Sequence, residues 1–147
     1  MASFERHVDV EWTGSVMEGS GVAKAGTGAF TLPVTFPSRI GEPGGKTSPE
    51  ELLAAAHGGC ITMSLAGELT KAGTPPGHLQ ATVTIHMDEV EGQGHQIVGS
   101  VVEFVVQADG VDDDALQAAV READESCPFS ALLKRAGATV DVSARLA

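Results

Sequence analysis

The chain holds two cysteines in unlike local sequences, Ala54-Ala55-Ala56-His57-Gly58-Gly59-Cys60 and Glu125-Ser126-Cys127-Pro128-Phe129-Ser130. Both settings point to thiol chemistry. Cys60 falls inside a helix opened by Ser48-Pro49-Glu50-Glu51, beside glycines that admit another backbone or a small ligand, and Cys127 precedes a helix-starting proline. Such flanks suit the exposure of a sulfur. The alternative is that each cysteine is a small buried hydrophobe, a common fate of a free thiol. The two stand far apart in sequence, so only tertiary folding could bring their alpha carbons within the ~4.4 to 6.8 Å of a disulfide. No C-x-x-C is present, which removes the thioredoxin-like reading and the common paired-cysteine zinc knuckles. His57, three residues before Cys60, shares a helical face with it as metal ligand or as hydrogen-bonding neighbour. Two ligands do not close a metal site, and His7, His78, His86 and His95 lie in expected strands or turns without a supporting cysteine.

Composition narrows the setting. The 147 residues suffice for one domain, 1–147, with its own core. A formal net charge of -11 and the lack of any Lys/Arg cluster argue against nucleic acid, whose binders neutralise many phosphates. The stretch Met1-Ala2-Ser3-Phe4-Glu5-Arg6-His7 has no apolar h-region, and no later stretch approaches the uninterrupted apolar run of a membrane span. The expectation is a cytoplasmic protein with neither nucleic acid nor membrane as partner. In a reducing cytosol two cysteines are inert thiols or a transient catalytic pair.

The elements that must position these residues follow from periodicity. Val8, Val10 and Trp12 alternate, as do Phe30, Leu32, Val34 and Phe36, giving strands over 4–12, 15–25 and 28–36 joined by glycine-rich turns. From Pro37 to Thr47 the chain is too rich in Gly and Pro for an element, and loops of this kind often carry function. Ser48 caps the next helix, Pro49 suits its first position and Glu51 completes a reciprocal capping box. Its body is apolar or small nearly all round, which predicts burial on most sides until Gly73. Gly58 and Gly59 cost roughly 1 kcal/mol each relative to alanine, with close helix-to-helix contact the simplest compensation. Two long strands, 81–91 and 96–108, form a hairpin. A second helix starts at Asp112-Asp113-Asp114 with Leu116, Ala119, Val120 and Ala123 as its apolar stripe. A short helix over 130–136 and a strand over 138–146 complete the order βββαββααβ, an α+β fold with largely antiparallel sheet around a long buried helix.

The run Thr47-Ser48-Pro49-Glu50-Glu51-Leu52-Leu53-Ala54-Ala55-Ala56-His57-Gly58-Gly59-Cys60, followed by Cys127-Pro128-Phe129-Ser130, resembles the OsmC/Ohr family of thiol-dependent peroxidases. The form Ser-Pro-Glu-Glu-Leu-Leu-Ala-Ala-Ala-His is closer to the osmotically inducible branch. The resemblance covers nearly the whole chain and implies an intertwined homodimer with active sites at the subunit interface. It implies that Cys60 is the peroxidatic thiolate, Cys127 the resolving thiol, and Arg39 and Glu50 the charged pair that activates Cys60. The thiolate attacks the O–O bond of an organic hydroperoxide, or of hydrogen peroxide, and free cysteine at pKa ~8.5 is mostly protonated at neutral pH. Arg39 would stabilise the charged sulfur while Glu50 holds the guanidinium in a bidentate pair. Cys60 sulfenic acid then condenses with Cys127 before overoxidation. An external dithiol, such as a dihydrolipoyl group, reopens the disulfide. No cofactor is expected: neither a G-x-G-x-x-G after a strand nor a phosphate-binding loop occurs.

Glu50 and Cys60 stand roughly 15 Å apart along one helix at ~1.5 Å rise per residue, so they cannot touch within it. If Glu50 serves Cys60, a two-fold axis could bring Glu50 of one chain beside Cys60 of the other. Met63, Met87 and Phe129 are candidates to line an apolar pocket, although methionine at helical spacing is more often core. A different reading is a non-catalytic dimeric module that senses redox state or binds an apolar ligand. A third is a structural protein with two inert thiols.

Overall fold

Alternating apolar side chains build the first three strands. β1 (Val8–Thr13) pairs antiparallel with β2 (Ser20–Ala25), and β2 with β3 (Thr31–Val34), in the order β1-β2-β3. Gly14 and Gly28, with φ of 93° and 80°, make the turns that other residues resist. The second strand starts later than its pattern predicts, because Ser15 to Gly19 close a turn through Gly19 N–H to the Ser15 carbonyl at 2.8 Å. β1 alternates as expected, yet all of its residues are exposed in the single chain. The computed structural model describes residues 3–147. Met1 and Ala2, where the reading for a leader began, lie outside them. Two units are distinct within the chain, the first ending at Leu52 and the second running Leu53–Ala147.

The segment after β3 corrects the expectation of a continuous loop, for it opens with a short helix, α1 (Phe36–Ile40). The Thr35 hydroxyl accepts a hydrogen bond from Ser38 N–H at 3.2 Å, and Pro37 stands in the first turn, where a missing N–H has no intrahelical partner to lose. Proline content therefore misleads here, since proline opposes a helix interior but favours its start. Ser48 caps α2 (Pro49–Lys71) by accepting from Glu51 N–H at 3.1 Å. The Glu51 carboxylate accepts instead from the Thr47 hydroxyl at 2.8 Å, so the reciprocal half of the expected capping box is replaced by a bond outside the helix.

In the second unit, His57, Ile61, Leu65 and Leu69 of α2 are buried along one stripe. The opposite stripe, with Ala55, Ala56, Gly59 and Met63, is exposed in the single chain. Gly58 is explained by a strand rather than a second helix: a β-carbon there would stand 3.0 Å from Val83 Cγ2, while one at Gly59 would meet nothing within 4 Å. By length and composition α2 is apolar enough to cross a membrane, which corrects the reading that no stretch approaches this. The helix of a protein core satisfies the same test, because its buried stripe and small residues raise hydropathy without lipid.

The second sheet runs β4-β5-β6, formed by β4 (His78–Val90), β5 (Gly94–Gln107) and β6 (Thr139–Leu146). β4 and β5 form the long antiparallel hairpin, with a register shift at His86/Met87. β6 is parallel to β5, and parallel neighbours need a crossover, supplied by α3 (Asp113–Ser126) and α4 (Pro128–Arg135). Asp112 caps α3 through Oδ1 to Ala115 N–H at 2.8 Å. Leu116, Val120 and Ala123 of α3 close a core with Val102, Phe104 and Val106 of β5 and the buried leucines and isoleucine of α2. The order is βββααββααβ, an α+β fold with largely antiparallel sheets and one short helix beyond the expected number.

Candidate active site

In the first unit, α1 presents Arg39 to the first turn of α2. Arg39 Nε donates to both carboxylate oxygens of Glu50, at 3.0 and 3.1 Å, and Nη2 adds a third bond to Oε1. This fork shares two donors across one carboxylate, the geometry that makes guanidinium pairs strong and directional. The Arg39 hydrogen bond holds the Glu50 carboxyl below its usual range, and Glu50 in turn raises Arg39. Both remain charged at neutral pH. A cavity of about 330 Å³ beside Arg39 is walled chiefly by apolar groups, among them Trp12, Val16, Val34, Phe36 and Pro49. Met63, Met87 and Phe129 do not line it, and none of the three is core: Met63 is 72% exposed, Met87 38% and Phe129 37%.

In the second unit the two cysteines are neighbours. Both are free thiols. Cys60 is half-buried and packs against the core cluster that contains Cys127. Burial pushes the Cys60 thiol up from its usual value, and the adjoining Cys127 thiol adds to this. The Phe129 backbone and the Ser64 side chain act in the other direction by hydrogen bonding. Cys127 is fully buried, against the expectation that its flanks would expose it. It ends α3 and caps α4, and capping turns its sulfur back over the new helix, where Sγ accepts from Ser130 N–H at 3.5 Å.

One turn before Cys60 on α2, His57 is also fully buried. Its Nδ1 bonds Ser100 Oγ of β5 at 2.8 Å, and its Nε2 bonds Ser130 Oγ of α4 at 2.8 Å. Both serines are themselves fully buried. With both ring nitrogens taken by hydroxyls, His57 has no lone pair free to join Cys60 on a metal. Burial holds the imidazole below its usual pKa, so it is neutral, one nitrogen donating and the other accepting. Nearby, Lys134 of α4 pairs with Asp124 of α3 at 2.6 Å. Among the described residues no group of three or more His, Cys, Asp or Glu could hold a metal ion.

Arg39 and Glu50 thus meet in one unit, and Cys60 and Cys127 meet in the other. Sequence reasoning did not single out Ser64, Ser100 or Ser130. Ser64 carried a signal, since it lies one helical turn after Cys60, and Ser130 belongs to the run Cys127-Pro128-Phe129-Ser130. Ser100 carried none, because a position 43 residues from His57 is brought to it by packing alone.

A helix-borne cysteine beside a second, buried cysteine in an α+β scaffold of this order defines a thiol protein of a recognisable kind. The chain belongs to the OsmC-like protein family, which matches residues 41–143. It is 33% identical over 125 residues to the peroxiredoxin OsmC of Escherichia coli (strain K12), covering 84% of this chain and 85% of that protein. Its fold is similar to that of the organic hydroperoxide resistance protein OsmC of Legionella pneumophila, with a TM-score of 0.75, 21% identity and coverage of 94% and 96% of the two chains. It is also similar to an OsmC-like protein of unknown function from Vibrio cholerae, with a TM-score of 0.80, 14% identity and coverage of 97% and 100%.

Proposed function

We propose that residues 1–147 act as one OsmC/Ohr-like domain, a cytoplasmic, thiol-dependent peroxidase that reduces organic hydroperoxides, with hydrogen peroxide as a lesser substrate. The observation that carries this reading is the pairing of Cys60 and Cys127, the only two cysteines, side by side in the second unit. The Cys60 thiolate attacks one peroxide oxygen. An S–O bond forms, the O–O bond breaks, and the departing alkoxide takes a proton from solvent to leave as the alcohol. Cys127 sulfur then attacks the sulfenic sulfur, forming the disulfide, and the hydroxide that leaves takes the Cys127 proton as water. An external dithiol, such as a dihydrolipoyl group, returns both thiols and is itself oxidised to a disulfide.

Arg39 answers a specific difficulty. Burial and Cys127 both raise the Cys60 thiol, so the nucleophile needs a cation, and the family resemblance gives that role to Arg39, whose guanidinium Glu50 orients. The apolar cavity beside Arg39 supports an organic substrate over hydrogen peroxide, since it offers greasy walls to a hydrocarbon tail and a charged group to the peroxide end. The exposed stripe of α2 supports an intertwined homodimer. A second copy covering Ala55, Ala56, Gly59 and Met63 would complete the burial that the helix composition predicts.

The test is anaerobic mixing of reduced protein with one equivalent of cumene hydroperoxide, followed by intact mass and thiol counting. Wild type is expected to lose two thiols and Cys60→Ser none. Survival of both thiols and of the peroxide in wild type would overturn the peroxidase reading in favour of a non-catalytic redox-sensing or ligand-binding module.

A further inference from the structure

We propose that His57 is a positioning residue for disulfide formation, a buried clamp that fixes Cys127 relative to the helix that carries Cys60. The inference rests on the peroxidase reading for its physiological meaning, though the clamp itself is a matter of geometry.

Three elements meet at one imidazole. α2 carries His57 and Cys60 one turn apart, so the two move together. Nδ1 ties that helix to Ser100 on the central strand β5, and Nε2 ties it to Ser130 in the first turn of α4. Ser130 in turn holds Cys127 Sγ through its backbone N–H. Cys127 Sγ is held by this bond and by its contact with the Cys60 thiol, and Cys127 stands at the joint between α3 and α4. The chain of contacts therefore runs from the Cys60 helix, through imidazole and serine, to the resolving sulfur.

The groups facing the ring favour this role over proton transfer. His57 is neutral by burial, and the nearby charges, Asp124 on α3 and Lys134 on α4, act on it in opposite directions and pair with each other. Both of its nitrogens are engaged by hydroxyls, which leaves it as a fixed spacer. The step it governs is attack by Cys127 sulfur on the Cys60 sulfenic sulfur, in which S–S forms, S–O breaks and water leaves. That step races a second peroxide, which would carry the sulfenic acid on to sulfinic acid. Attack geometry is steep in distance, a misplacement of about 1 Å costing on the order of 10²-fold.

Substitutions separate the two arms of the clamp. His57→Gln places an amide near the Nε2 position, toward Ser130, whereas His57→Asn places one near Nδ1, toward Ser100. Ser130→Ala cuts the same arm as His57→Asn with a smaller change. The experiment follows sulfenic acid by dimedone trapping and disulfide by intact mass, after rapid mixing with cumene hydroperoxide. In Ser130→Ala and His57→Asn, sulfenic acid formation is expected to keep its rate while disulfide formation slows by at least roughly tenfold, with sulfinic product accumulating. His57→Gln is expected to recover most of the loss. Disulfide formation at the wild-type rate in both Ser130→Ala and His57→Asn would overturn the proposal, and so would equal slowing of both steps. A parallel arm replaces peroxide by diamide, which takes two electrons and two protons from the thiol pair. If wild type forms no sulfenic acid, the peroxidase reading fails, and the diamide rates of the same variants still decide the clamp.

Discussion

At the scale of single residues, the proposed chemistry turns on how a half-buried thiol becomes a thiolate. Cys60 is pushed up by burial first and by Cys127 second, so below the raised value it is protonated and its reaction rate climbs as pH rises through that value. A guanidinium near the sulfur moves the climb to lower pH. Arg39→Ala is therefore expected to slow sulfenic acid formation at pH 7 by about tenfold or more, as one charge-assisted contact of ~1.5 to 3 kcal/mol allows, and to shift the pH–rate profile upward. Stopped-flow rates across pH measure both. A profile that stays in place would remove the cation from the mechanism and leave Arg39 as the partner that holds Glu50 at the start of α2.

At the scale of elements, α2 is where local propensity and packing disagree. Its two adjacent glycines are poor helix formers, and the structure separates their reasons. A β-carbon at Gly58 would press on Val83 Cγ2 at 3.0 Å, so strand β4 favours the small residue there. Gly59 faces open space in the single chain. Gly58→Ala is expected to be destabilising or neutral, the contact offsetting the gain in propensity. Gly59→Ala is expected to stabilise the monomer, as in a Met63→Lys background, by ~0.5 to 1 kcal/mol and to lose that gain where a second copy covers the face. Urea unfolding of the two variants reads the difference. A destabilised Gly59→Ala would mean that another surface closes on that face. α1 teaches a related lesson about legibility. Its Gly and Pro content reads as a loop, yet Thr35 is a capping residue and Pro37 a first-turn residue.

At the scale of the whole molecule, the outer stripe of α2 bears on assembly. Met63 is 72% exposed at its centre. Met63→Lys is expected to convert the proposed homodimer to monomer, because an ammonium placed within an apolar interface loses its hydration without a partner. Sedimentation velocity at matched concentration checks this. A dimer that survives the substitution would put the interface elsewhere, with the fully exposed β1 strand as the next surface to consider.

The sequence by itself determined what short-range forces determine. Strand alternation, the caps at Ser48 and Asp112, the hairpin and the length of α2 all follow from neighbours within a few residues, and so does the motif around Cys60 that resembles the family. The two cysteines stand out in the sequence directly, whereas the Arg39–Glu50 pair enters only through that resemblance. Tertiary structure alone decided the rest. It set β6 parallel to β5, which no local pattern encodes. It turned Cys127 inward, although its flanks read as exposing, because a capping sulfur folds back over its helix. It also joined His57 to Ser100 and Ser130, partners 43 and 73 residues away. Periodicity shows which face of an element is buried. Only packing selects the side chains that meet there, because a buried polar group must find its partner wherever the chain happens to bring one.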